Sequence, residues 1–114
     1  MENKGKKDKK KEEIFENGVD HLENGRLNDA ANAFEEVIKM DQEDASAHFN
    51  LGLVFMRMVR EDVDREELYE EHTDEEGLML RAISEFNRVL EIEPDNEDAK
   101  RNIEALEELL EKGV

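Results

Sequence analysis

Carboxylates are the residues with the strongest chemical character in this chain. Asp and Glu number 33 against 16 Lys and Arg, a net charge of −17. From Glu61 to Glu76 ten positions are acidic, and Arg65 is the one base. Asp62, Asp64 and Glu66 alternate as the first ligands of a calcium loop do. Glu67, however, stands where the sharp turn needs Gly, and Thr73 where the bidentate carboxylate belongs. A solvated acidic surface is the stronger reading of this run. Paired carboxylates that could serve as acid and base occur throughout, so their presence selects no reaction. Nucleophiles are scarce: Ser46 and Ser84 are the only serines, and there is no Cys, which poorly supplies a Ser/His/Asp or Cys/His site. No His pair has metal-ligand spacing, and His21 and His48 read as packing or surface residues. The expectation is a non-enzyme with no cofactor and no metal.

Charge also restricts the partners. Residues 1–11 carry six Lys against Glu2 and Asp8, while residues 12–114 carry ten bases against thirty-one acids. A body this acidic repels phosphate backbones, whose binding rests on Lys and Arg. The basic segment lacks the aromatic residues that stack on bases, and residues 1–10 read as a disordered basic tail. No apolar run approaches the length of a membrane span. The expected setting is therefore cytoplasmic, with no nucleic acid and no membrane as partner.

The elements that position these groups are helices. Pro occurs once and Gly six times, while the strong helix formers Glu, Leu, Ala, Lys and Arg are abundant. An internal repeat then organises the chain. Phe15, Gly18, Val19 and Leu22 recur 34 residues later as Phe49, Gly52, Leu53 and Met56. Ala30, Phe34, Val37 and Ile38 recur as Ala82, Phe86, Val89 and Leu90 at a spacing of 52. The difference places eighteen inserted residues inside the second repeat, around 59–76. Each half keeps the three-and-four spacing of an amphipathic helix. Small Gly and Ala let paired helices approach closely, with Phe34 and Phe86 filling the space beside them. Gly25 suits a left-handed cap on the first helix, Pro94 ends the fourth, and Asp95 or Asn96 can open the last.

This skeleton resembles the tetratricopeptide repeat, a 34-residue helix–turn–helix unit with the pattern Trp-x2-Leu-Gly-x2-Tyr, Ala-x3-Phe, Pro. The chain supplies Ile14-x2-Asn17-Gly18-x2-His21 with Ala30-x3-Phe34, then His48-x2-Leu51-Gly52-x2-Phe55 with Ala82-x3-Phe86 and Pro94. It departs at Asn17, at His21, and at Gln42 in the place of the first Pro, which suggests a looser first repeat. The resemblance covers roughly residues 11–112. It implies an all-α, α-α superhelix of TPR type: repeat one over 11–44, repeat two over 45–96, and a capping helix over 96–112.

The resemblance also implies a role. Members of this family bind peptides or helices in the concave groove lined by the first helix of each repeat. The positions facing that groove would be Phe15, Val19 and Leu22, then Phe49, Asn50, Leu53, Met56 and Arg57. From the cap, Asp98, Arg101, Asn102 and Ala105 would complete it. Two readings stand for Phe15, Val19, Phe49 and Leu53: inter-repeat core, or an exposed apolar strip for an amphipathic segment. Members that grip the carboxyl terminus of heat-shock chaperones use two Lys/Asn pairs and an Arg. Of those places only Asn50 matches, the others being Phe15, Val19, Asp98 and Asn102, so a carboxylate has nothing to hold it.

The expected function is thus an adaptor that binds a protein or peptide partner with apolar and basic residues, as a monomer or weak homo-oligomer. A self-associating structural module and an acidic sink for cations or basic proteins stand as alternatives. The insertion itself is expected to lengthen both helices of the second repeat. Thr73-Asp-Glu-Glu76 reads as a capping box that starts the later helix near Asp74, and between the two helices Leu68 and Tyr69 suggest either a short helical turn or one continuous helix to about Glu71.

Overall fold

The computed structural model describes the backbone of residues 2–65 and 75–112, and the side chains of residues 5–60 and 75–112. Among them five helices follow one another: α1 (Glu2–Glu23), α2 (Leu27–Met40), α3 (Ala45–Arg65), α4 (Glu75–Ile92) and α5 (Glu97–Glu111). α1 pairs with α2 and α3 with α4, while α2 packs on α3 and α4 on α5. The first helices α1, α3 and α5 form one layer of a short superhelix, and α2 and α4 form the other.

Local chemistry sets the boundaries. Gly25 has φ +76, a left-handed conformation that a side chain would strain. It lets the Gly25 and Arg26 amides donate back to the Leu22 and His21 carbonyls at 3.1 and 2.9 Å. Asp44 opens α3 by accepting from the Ala47 amide at 3.0 Å. Asn96 opens α5 by accepting from the Ala99 amide at 2.9 Å. Both are side-chain caps of the ordinary kind.

The two hairpins share one packing device. Phe34 and Phe86 are wholly buried and press on Gly18 and Gly52, where a Cβ would stand 2.8 Å from Phe34 Cε1 and 2.7 Å from Phe86 Cζ. Each buried ring also meets a ring from the first helix edge-on. Phe15 lies 5.4 Å from Phe34 at 67°, and Phe49 lies 5.3 Å from Phe86 at 68°. The eighteen-residue insertion leaves this geometry unchanged, because it enters at the far end of the second hairpin. α3 runs eight residues past the place where α1 stops, and α4 starts four residues before the place where α2 starts. The other six fall between Arg65 and Glu75. Leu78, in the added turn of α4, is buried, so the lengthened helices still pack. Thr73, Asp74, Leu68 and Tyr69 lie outside the described residues, as does any turn there.

The ends of the stack are marked by substitution at core positions. Ala47, Leu51 and Val54 of α3 are buried, yet the same places in α1 hold Glu13, Asn17 and Asp20, all exposed. Among the described residues no helix covers this edge of α1, and Asp20 pairs instead with Arg26 just beyond the helix. Asn17 is thus exposed at the place where Leu51 is buried in α3. At the other end, the place of Gly18 and Gly52 is taken in α5 by the exposed Glu104. A helix cannot seat a Phe against that side chain as Phe34 and Phe86 seat against Gly.

One expectation needs correction. Residues 1–10 were expected to be disordered, but α1 is helical from Glu2. Its Lys and Glu residues are good helix formers, and Lys11 fixes the helix to the α2–α3 turn with Nζ 2.9 Å from Asp41 and 3.3 Å from Asp44. Lys7 and Asp8 line a shallow recess with Met40 and Asp41, which gives the added turns a surface to lie along.

Candidate functional site

The concave side is built by the rows of α1, α3 and α5 that the second helices leave uncovered. Phe15, Val19 and Leu22 from α1, and Phe49, Leu53 and Met56 from α3, are each half-buried and packed against the core. Each is thus packed on the core and partly exposed. Asn102 of α5 is half-buried as well, and Ala105 is exposed.

The polar positions expected to line the groove are more committed than the sequence suggests. Arg57 Nη1 donates to the Leu22 carbonyl at 2.6 Å, so this cation caps the C-terminus of α1, where a positive charge is favourable. Arg101 is paired with Asp98 on its own helix. Asn50 Nδ2 donates to the Ser46 carbonyl at 2.8 Å.

Two recesses open at the N-terminal mouth of the groove. The larger, about 470 Å³, is lined by Phe15 with Lys11, Glu12, Glu16, Asp44 and Ser46. The smaller, about 210 Å³, is lined by Phe49 and includes Ser46, Asn50, Glu93, Asn96 and Asp98. Lys11 does not make the first recess basic, because its ammonium bridges Asp41 and Asp44. That pairing holds the Asp41 carboxyl below its ordinary value and the Lys11 ammonium above its own. In each case the hydrogen bond between the two side chains is the main cause. Glu12, Glu16 and Glu93 were not among the expected site residues. The repeat offered a signal, since Glu12, Ser46 and Asp98 occupy one position in α1, α3 and α5.

The convex side carries a cross-link that sequence alone did not reveal. His48 is 6% exposed, with Nδ1 2.7 Å from Glu85 Oε1 and Nε2 3.0 Å from the Gln42 carbonyl. Arg88 reaches the same turn, donating to Gln42 O at 3.3 Å and to Glu43 Oε2 at 2.5 Å. Gln42, which replaces the family's Pro, is thus where α4 is tied to the first repeat. His21 accepts from Arg26 Nε at 3.0 Å beyond the end of α1. Among the described residues no three His, Asp or Glu side chains converge as a metal site. The side chains of the calcium-like run from Asp62 to Thr73 lie outside the description, although Asp62 and Asp64 sit on the helical backbone of α3.

With this geometry in place, the chain belongs to the tetratricopeptide repeat family: a model of that family matches residues 15–97. No curated protein matches the sequence. A solved structure described as the first TPR of Spaghetti (RPAP3) bound to HSP90 peptide SRMEEVD is similar at 18% identity and a TM-score of 0.44. That match covers 90% of this chain and 94% of the other. No helix among the described residues is long and apolar enough to cross a membrane.

Proposed function

We propose that this chain is a non-enzymatic interaction module whose concave face binds a peptide or amphipathic helix of a partner protein carrying basic residues beside its apolar ones. The observation that carries this reading is the half-buried row Phe15, Val19, Leu22, Phe49, Leu53 and Met56, bordered by Glu12 and Glu16. An apolar floor supplies affinity, because each large side chain that a partner buries is worth about 1.5–3 kcal/mol. The acids supply encounter rate and specificity for cations. Family membership supports an interaction role, and the cytoplasmic setting remains part of the proposal.

Stacking of copies on this face is disfavoured by the polar edge of α1, where Glu13, Asn17 and the Arg26-paired Asp20 would have to be buried. The test is capture of a partner from native cytosol with the wild-type chain and with Phe49→Glu. The expected result is loss of capture with the helical far-ultraviolet signal retained. Capture that survives Phe49→Glu removes the reading.

A further inference from the structure

The two recesses at the groove mouth share a plan. Each is lined by the half-buried Phe of a Phe pair, Phe15 or Phe49, and each has an acid that no cation meets among the described residues, Glu12 and Glu16 in the first and Glu93 in the second. They adjoin at Ser46, so the line joining them runs across the helices and not along them. The cations in this neighbourhood are already held: Lys11 by Asp41 and Asp44, and Arg101 by Asp98. Glu12 and Glu16 make no hydrogen bond or ion pair among the described residues. Each recess therefore presents an aromatic ring beside negative charge, the surroundings that suit an ammonium or guanidinium group.

We propose that the two recesses take two basic side chains from positions i and i+3 of one extended segment of the partner, the first over Phe15 against Glu12 and Glu16, the second over Phe49 against Glu93. The spacing follows from scale. Neighbouring helices lie roughly 10 Å apart, and an extended chain advances about 3.3 Å per residue, so the third residue along reaches the next recess. This rests on the reading that the groove receives a partner segment, and specifies what the segment presents at its mouth.

The test uses the full chain and two fluorescein-labelled peptides of equal composition, Gly-Ala-Arg-Leu-Ala-Arg-Leu-Ala-Gly and Gly-Ala-Arg-Arg-Leu-Ala-Leu-Ala-Gly, read by anisotropy and by amide shifts in NMR. The spaced peptide is expected to bind more tightly, with shifts centred on Phe15 and Phe49. The double variant Glu12→Gln/Glu16→Gln is expected to weaken it about fivefold, the scale of two partly exposed ion pairs. Equal affinity for both peptides, or shifts centred on residues 61–76, overturns the inference. Partner capture that is lost in Phe49→Glu but unmoved in Glu12→Gln/Glu16→Gln overturns it while leaving the groove reading intact. Capture unmoved by either variant overturns both.

Discussion

Gly52 and Phe86 meet so closely that a methyl group on Gly52 would stand 2.7 Å from Phe86 Cζ, with two further ring carbons within 3.0 Å. Both lie in the packed centre of the second hairpin. Gly52→Ala gains up to about 1 kcal/mol of helix propensity, but overpacking a filled core costs about 1–3 kcal/mol. A net loss is expected, seen as a lower thermal midpoint. Adding Phe86→Leu to Gly52→Ala should recover part of it, since the two positions are coupled through contact. Additive losses in the double variant would show that the ring is not what excludes the methyl.

His48 joins two repeats through Glu85 and Gln42. Its Nδ1 lies 2.7 Å from Glu85 Oε1 and its Nε2 lies 3.0 Å from the Gln42 carbonyl, so both ring nitrogens are engaged. Replacing His48 by Phe restores an aromatic residue of the kind the family pattern carries there, and adds apolar surface. It also leaves the Glu85 carboxylate without this partner. His48→Phe is expected to destabilise by about 1–3 kcal/mol, the cost of an unmade buried hydrogen bond. Urea unfolding checks this, and an unchanged or raised midpoint would contradict it.

Lys11 and Asp41 give a pH dependence whose sign is fixed. The Asp41 carboxyl is held below its ordinary 3.8, so its contribution is complete above that value and is lost as pH falls through the lower folded-state value. The Lys11 ammonium is held above its ordinary 10.5, so its contribution is complete below that value and is lost as pH rises through the higher folded-state value. Lys11→Met should therefore cost stability near pH 7, by less than about 1 kcal/mol for a pair this exposed. The difference from wild type should shrink at both extremes of pH. A difference that stays constant from pH 2 to 7 would assign the loss to packing instead.

The groove should reject acidic carboxyl-terminal peptides. Phe15, Val19, Asp98 and Asn102 occupy four of the places that would have to grip a carboxylate, and the nearby Arg101 is paired. A labelled acidic peptide with a free carboxyl terminus is expected to give no saturable anisotropy change at high micromolar protein. Saturable, salt-sensitive binding would mean that Arg101 or Lys11 releases its acid to hold the peptide.

Much of this architecture was legible before any coordinates, for a physical reason. The Gly18/Phe34 and Gly52/Phe86 pairs are steric requirements, and a steric requirement repeats in sequence wherever it repeats in space. Gly25, Asn96 and Pro94 were readable because turns and caps have narrow chemistry. The eighteen-residue spacing pointed to an insertion around 59–76, and α3 and α4 reach towards it beyond the places where α1 ends and α2 begins. The site was less legible. Phe15 and Phe49 looked like either core or surface because they are each in part. Arg57 appeared available because sequence does not show that Leu22 offers it a carbonyl 35 residues away. His48 looked like a failed aromatic because its partners, Glu85 and Gln42, come from two different repeats. Residues 1–10 were misjudged because composition weighs charge and not the ion pair at Lys11 that seats the helix.

Glu104 has a consequence for how such a chain can change over generations. Repeat proteins lengthen by copying a unit and joining the copy to an existing face. A copy joined after α5 would bring a second-helix Phe to a position where its predecessors found hydrogen and it would find a carboxylate. Growth at that end therefore needs Glu104 to become small first, a change that by itself leaves a bare, sticky helix. At the other end Glu13, Asn17 and Asp20 set a similar toll. Glu104 in this sense decides what α5 can accept on that face: a helix that brings a small residue there, and not one that brings a ring.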